Sequence, residues 1–470
     1  MSILKIQKNI IFVFYFIIFI NSKIVFPFKE IEVNNTTLSE DDPNDLYNQI
    51  YLYNIYTMIK IGKPEQTIIA TFNSEKSNLM VKDIPKLYNI EGHNTYNYAS
   101  SYTFKNITTQ NTDEIISRGY SIINETLTLS KNEDCTHLIE ITDFQFELFN
   151  HFDYKNETKT LSGEIGFKND DSKLSFIKQL LNKKIIDSNI ISFNYTSDNE
   201  GYIYLGEYLD NYENYNESNN IKTINISNIY DGSIFQIEID YAYIKYNNGR
   251  TFFSDTNLIF YLEQGIILAS DGYQMSINEI FFKKQIEDKL CFEKQISFGI
   301  DDYTVITCKE NVNLDNFPIL NFEIGDIAFT LNKDDLFKKI GDIYYFLIVF
   351  SPEIKNWVIG KPFLRKYELS IDINEKKISF YYNNNNDTDD DNNNDNNNDN
   401  NNDNNNETNH ETNNDIPNNN KSHTWVIVLV TFIVIIILVI AIFIFIRLKK
   451  RKEITSEDID SVKGSLIRTN

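Results

Sequence analysis

Trp357-Val-Ile-Gly-Lys-Pro-Phe-Leu-Arg-Lys-Tyr367, followed closely by Ile371-Asp-Ile-Asn-Glu-Lys-Lys-Ile-Ser-Phe380, is the stretch on which the fold turns. An apolar triplet stops at a glycine, Lys-Pro opens a short helix, and a hairpin follows. Working outward, short β-rich runs with partial alternation recur at Tyr56–Ile61, Thr67–Phe72, Thr126–Leu129, Ile190–Tyr195, Tyr202–Leu205, Ile234–Ile239 and Leu369–Ile373. Helical periodicity is confined to short pieces. Leu174–Lys184 puts Leu174, Ile177, Leu180 and Leu181 on one face, and Asn278–Leu290 does the same less cleanly. The chain reads as mostly β.

The 470 residues allow one large domain or two medium ones. Acidic residues outnumber basic ones by 67 to 44, a formal charge of -23, which excludes a nucleic-acid binder in need of a basic face. At the start, Lys5 and Lys8 precede an apolar run from Ile10 to Ile20, the pattern of a secretory signal over residues 1–22. Near the end, Trp425–Ile446 contains Thr431 as its only polar residue, long enough to span a hydrocarbon core of about 30 Å. Arg447, Lys449, Lys450, Arg451 and Lys452 follow at once, placing the tail 447–470 in the cytosol. Residues 383–422 are almost pure Asn and Asp and read as a disordered stalk. The expectation is a type I protein, tethered by one helix to a secretory-pathway or cell-surface membrane.

Three cysteines are present: Cys135, Cys291 and Cys308. In an oxidising lumen the last two make a bridge and leave Cys135 over, read here as a buried thiol. Before residue 230, Asn-x-Ser/Thr sequons begin at Asn34, Asn35, Asn106, Asn124, Asn156, Asn194, Asn216 and Asn225. His93, His137, His151 and His410 have no metal-ligand spacing, and no phosphate loop or Ser-His-Asp order appears, so no cofactor is expected.

The 357–380 stretch resembles the C-terminal segment of pepsin-like aspartic proteases. Phe317-Pro-Ile-Leu-Asn-Phe-Glu-Ile-Gly-Asp-Ile-Ala-Phe329 looks like that family's strand pair before a helix, here Asp334–Phe337. Leu161-Ser-Gly-Glu-Ile-Gly-Phe167 is similar to its Asp-Gly-Ile-Leu-Gly-Leu-Gly segment, and Ile191-Ser-Phe193 with Gly201-Tyr-Ile-Tyr-Leu-Gly206 to the strands after it. Tyr56-Thr-Met-Ile-Lys-Ile-Gly-Lys-Pro-Glu-Gln66 resembles its entry strand. Cys291 and Cys308 fall where its C-lobe disulfide falls. The resemblance runs collinearly over about 48–382 and implies a bilobal β fold with an interlobe cleft, lobes at 48–195 and 196–382.

Hydrolysis in that family uses water held between two carboxylates about 3 Å apart, which share a proton because like charges so close do not both ionise. Each sits in Asp-Thr/Ser-Gly, where the hydroxyl supports the pair and the glycine lets two loops meet. In Thr71-Phe-Asn-Ser-Glu-Lys-Ser-Asn-Leu-Met-Val81, Asn73 stands on the first aspartate, Ser74 keeps the hydroxyl, and Glu75 stands on the glycine. Gly265-Ile-Ile-Leu-Ala-Ser-Asp-Gly-Tyr273 is similar to the second motif, Ala-Ile-Leu-Asp-Ser-Gly-Thr. The best register puts Ala269 on the aspartate, Ser270 on the hydroxyl and Asp271 on the glycine. A one-residue slip moves Ser270 onto the aspartate and Gly272 onto the glycine; a two-residue slip offers Asp271 itself. The family's flap glycines are missing too, since none lies between His93 and Arg118, where Tyr102 is the candidate relic. Three functions remain open: a non-catalytic fold binding a peptide or protein in its cleft, an active acid endopeptidase, and a glycosylated structural surface protein.

Overall fold

Along Ile55–Ile61 the side chains of Ile55, Thr57, Ile59 and Ile61 are buried while Met58 faces solvent, the period-two pattern of a half-buried strand. Repeated through the chain, that pattern builds a molecule made mainly of strands. The computed structural model describes residues 23–30, 55–82, 96–107, 120–149, 162–211, 220–225, 235–246, 249–253, 257–298, 301–325 and 327–382. The chain separates into two units, 1–392 and 393–470, and every described residue belongs to the first. Among the described residues no helix is long and apolar enough to cross a membrane. The apolar runs at 10–20 and 425–446 and the Asn/Asp stretch at 383–422 lie outside those residues.

In chain order the strands begin with β1 (Ile24–Glu30), β2 (Ile55–Ile61), β3 (Gln66–Asn73), β4 (Leu79–Lys82), β5 (Lys105–Asn106), β6 (Tyr120–Ser130) and β7 (Leu138–Phe149). Next come β8 (Gly163–Gly166), β9 (Ile190–Tyr195), β10 (Glu200–Leu205), β11 (Asn220–Asn225), β12 (Phe235–Glu238), β13 (Tyr241–Tyr246) and β14 (Gly249–Phe253). Then follow β15 (Asn257–Phe260), β16 (Ile267–Ser270), β17 (Cys291–Phe298), β18 (Asp301–Lys309), β19 (Ile319–Ile324) and β20 (Ile327–Leu331). The series ends with β21 (Phe337–Ile340), β22 (Ile343–Phe346), β23 (Ile348–Ser351), β24 (Trp357–Ile359), β25 (Glu368–Asp372) and β26 (Lys377–Tyr382). Helices are few: α1 (Phe176–Asn182), α2 (Asp271–Ile277) running through the π-helical turn Asn278–Phe282 into α3 (Lys283–Glu287), then α4 (Lys333–Leu336) and α5 (Lys361–Leu364).

A 13-stranded sheet runs in the order β11-β26-β25-β9-β10-β1-β2-β3-β8-β4-β7-β6-β5. It takes strands from both halves of the chain, joined where β9 pairs with β25 and Ser192 and Ser370 share a 2.7 Å hydroxyl contact. A nine-stranded sheet and a four-stranded sheet, β14-β13-β19-β20, complete the second half. β1, which precedes the stretch covered by the resemblance, lies well inside the first sheet between β10 and β2. Its Glu30 forms a buried ion pair with Lys361 at the start of α5, and burial lowers the Lys361 pKa.

The same four-strand pattern occurs in each half. β3 pairs parallel with β8 (Phe72↔Ile165, Asn73↔Gly166), β8 antiparallel with β4 (Met80↔Glu164), and β4 parallel with β7 (Met80↔Glu147). β15 pairs parallel with β24 (Phe260↔Ile359), β24 antiparallel with β16 (Leu268↔Val358), and β16 parallel with β23 (Leu268↔Val349). Both copies need a glycine where a loop crosses. A Cβ on Gly166 would stand 2.5 Å from the Lys76 carbonyl oxygen, and one on Gly360 2.3 Å from that of Ile266 and 2.4 Å from that of Gln264.

Trp357 and Phe363 are buried in the main core; the Trp357 ring lies 4.9 Å from that of Tyr273 and 5.2 Å from that of Phe322. Cys291 and Cys308 are bridged, facing each other across β17 and β18. Cys135 is a free thiol, but an exposed one: it sits with positive φ in the turn between β6 and β7, where no core is within reach.

Candidate active site

Asn73 ends β3, and its amide is used at both ends. Its Oδ1 accepts the backbone N–H groups of Glu75 at 2.8 Å and Lys76 at 2.9 Å, folding the loop back on itself. Its Nδ2 donates to the Glu164 carboxylate on β8. Burial raises the pKa of Glu164, opposed by the Asn73 hydrogen bond and by Lys76 and Lys82. An aspartate at position 73 would have no N–H to offer and would set two carboxylates face to face.

The second half departs from the sequence-based register. Matching the two four-strand copies puts Phe72 with Phe260, so the counterpart of Asn73 is Tyr261, beside Gly360. Leu262 then matches Ser74, and Glu263 matches Glu75. Ala269 instead lies inside β16, fully buried and paired with Phe350 on β23. Ser270 is the N-cap residue of α2, and Asp271 with Gly272 forms its first turn. Ala269, Ser270 and Asp271 thus stand eight to ten positions beyond Tyr261, on β16 and the first turn of α2. The physical reason is that Ile267–Ser270 is a strand that follows the turn, which is made by Leu262-Glu263-Gln264-Gly265. The Ser-Asp-Gly chemistry of 270–272 was a decoy, because residues 261–263 hold no acid, hydroxyl and glycine in the expected order. The signal that could have found Tyr261 is spacing: Leu79, the first residue of β4, comes six positions after Asn73, and Ile267, the first residue of β16, comes six positions after Tyr261.

The two loops grip each other through the residues that replace the glycines. Ser74 donates its backbone N–H to Glu263 Oε1 at 2.8 Å and its hydroxyl to Oε2 at 2.6 Å. The Leu262 N–H reaches Ser74 Oγ at 3.4 Å. In the other direction, the Tyr261 hydroxyl donates to Glu75 Oε1 at 2.8 Å. Each glutamate thus crosses to the opposite loop. Burial pushes the Glu263 pKa up to about 7, against the hydrogen bonds from Ser74 that favour its charged form. Glu75 is exposed.

Chemically, the two positions that would carry the shared-proton pair hold an amide and a phenol. Asn73 cannot accept a proton from water, and Tyr261 is a donor to Glu75. Tyr102 is 79% exposed, and the segments on either side of 96–107 lie outside the described residues. Among the described residues no group of three or more His, Cys, Asp and Glu could hold a metal ion. A cavity of about 240 Å³ opens beside Gly265, lined by Lys338, Lys361, Arg365 and Asp334 among others, outside the grip itself.

A family model described as eukaryotic aspartyl protease matches residues 54–382. A second, described as Orf78 (ac78), matches residues 377–462, almost all of them outside the described residues. No curated protein matches the chain.

Proposed function

Because the chain belongs to the eukaryotic aspartyl protease family, we propose that it is a member that has given up hydrolysis and keeps the fold to bind a peptide or protein segment between two lobes, 48–195 and 196–382. The reciprocal grip carries this reading: Glu75 and Glu263 occupy the glycine positions and bind across the loops, while Asn73 and Tyr261 stand where two acids would share a proton. Residues 1–22 act as a secretory signal, 425–446 as the membrane span, and 383–422 as a stalk that holds the domain outside the cytosol. The acidic composition supports a soluble surface that loses charge as pH falls.

Two assays test the reading. Purified ectodomain, incubated with a broad peptide library from about pH 3 to 7, is expected to match buffer. Pepstatin-sensitive turnover would make it an acid endopeptidase instead. Acid elution from ectodomain purified out of cells is expected to release bound peptide. An ectodomain that yields nothing and retains no library peptide would leave only a structural role.

A further inference from the structure

The wall of the cavity beside Gly265 brings three cations together. Lys338 comes from β21, Lys361 from the start of α5 and Arg365 from its C-cap. Lys361 is nearly buried and paired with Glu30, whose carboxylate also accepts the Tyr195 hydroxyl at 3.3 Å. Arg365 has Asp198 at 3.5 Å and donates to the Asp334 carbonyl oxygen at 3.2 Å. Lys338 is half-buried, and among the described residues it makes no ion pair or side-chain hydrogen bond. After burial itself, the charges of Lys338 and Arg365 also lower the Lys361 pKa, against the pull of Glu30. Three carboxylates reach the same wall, each committed or exposed. Asp335 accepts the Asn332 N–H at 2.9 Å and stands 3.5 Å from Lys366, the Asp198 side chain is 83% exposed, and Asp334 is exposed. Phe337, Leu347 and Pro362 give the wall an apolar part.

We propose that this cavity binds a small organic dianion, a phosphate monoester or a dicarboxylate, held at its charged end by Lys338, Lys361 and Arg365 and at its apolar end by Phe337 and Leu347. A half-buried ammonium beside two further cations is costly in surroundings less polar than water, and an anion among the three offsets that cost. Arg365 offers a planar fork to two oxygens of a carboxylate or phosphate, and Lys338 adds a point charge. The volume, about 240 Å³, lies below the roughly 300–1,000 Å³ of pockets for drug-sized ligands, which limits the occupant to a small molecule. The site is therefore separate from any peptide held between the lobes, and neither binding event depends on the other. It also adjoins the second crossing loop, because the Lys361 N–H donates to the Gln264 carbonyl oxygen at 2.7 Å. A bound dianion braces that loop from outside the grip.

The test titrates the full chain, purified in detergent, by calorimetry at constant ionic strength and about pH 7.5, where a phosphate monoester is mostly doubly charged. Phenyl phosphate and phenylsuccinate are the probes, with inorganic phosphate as a head group lacking the apolar end and chloride as the monovalent control. At least one phenyl probe is expected to bind saturably at one site, several-fold tighter than inorganic phosphate; the tighter of the two identifies the head group. Lys338→Gln should weaken that binding on the order of tenfold. Lys338→Arg should retain it, and Lys377→Gln, on β26 and not part of the wall, should leave it unchanged. In chloride alone Lys338→Gln should unfold no earlier than wild type, since it removes a repulsion. Hydrogen exchange on the wild type locates the site without any variant: the bound probe should slow exchange in 337–339 and 361–365. No saturable binding by either phenyl probe, an affinity unmoved by Lys338→Gln, or protection confined to other segments would overturn the site.

Discussion

The loop after β3 and the loop after β15 do the same structural work with different chemistry. In the first, Asn73 is held by its own loop and by Glu164, and Ser74 keeps a hydroxyl that reaches the partner loop. In the second, Tyr261 and Leu262 keep neither acid nor hydroxyl of the expected kind, and only the crossing glycine, Gly360, is retained as Gly166 is in the first. The difference separates two requirements that coincide in a working enzyme. Passing a loop beside a strand is a steric demand and survives in both halves. Sharing a proton is a chemical demand, and the two matching positions hold an amide and a phenol, Asn73 and Tyr261.

The steric demand should give the largest effect. Gly166→Ala and Gly360→Ala each push a Cβ into backbone oxygen at 2.5 Å or less, with no flexible side chain to yield. Each is expected to cost on the order of 3 kcal/mol or more in denaturant unfolding. A substitution tolerated in one half alone would break the equivalence of the two loops.

Next in size is a pH effect from the second loop. Burial raises Glu263 and also Glu368, on β25, from 4.5 to about 7. A carboxyl whose folded pKa is raised holds its proton more tightly in the native state. Its stabilising contribution is complete below pH 4.5 and lost as pH rises through about 7. For each group the loss is at most about 3 kcal/mol. Relative to wild type, Glu263→Gln should therefore rise in melting temperature between about pH 4.5 and 7, with a constant difference above that. A difference that does not change with pH would mean that Glu263 is not buried in the folded chain.

A third effect belongs to the first loop. Asn73→Asp replaces the N–H that meets Glu164 with a second carboxylate and should cost about 1–2 kcal/mol at neutral pH. Adding Glu164→Gln should restore most of it, which a chemical-denaturation cycle would read directly. The smallest change is expected at the exposed end of the grip. Tyr261→Phe removes the hydrogen bond to exposed Glu75 and should cost less than about 1 kcal/mol.

How much of this could be read without coordinates follows the same division. The Val358-Ile359-Gly360 and Ile165-Gly166 turns were legible because steric demands leave one residue type in place. The Cys291–Cys308 bridge was legible for the same reason, with cysteine at both ends. Short strands such as Ile190–Tyr195 announced themselves by apolar content. Asn73 and Ser74 are legible at the end of β3 because Phe72 and the run Ser77-Asn-Leu anchor the register on both sides. Tyr261 was missed because Tyr-Leu-Glu preserves no chemistry, and Ala-Ser-Asp-Gly at 269–272 imitates the lost motif one strand later. The reciprocal crossing of Glu75 and Glu263 lay beyond reach, since it depends on two loops distant in the chain meeting in space. β1 escaped for want of a partner in sequence: its neighbours β10 and β2 begin at residues 200 and 55.

The most direct measurement is a double-mutant cycle across the grip, with Ser74→Ala, Glu263→Ala and the pair, followed by denaturant unfolding well above pH 7, where Glu263 is ionised. Loops bound to each other through a buried, charge-assisted pair of hydrogen bonds should show a coupling of about 1.5–3 kcal/mol. Additive losses, within about 0.5 kcal/mol, would contradict a grip between the two loops where the family's acids would otherwise meet.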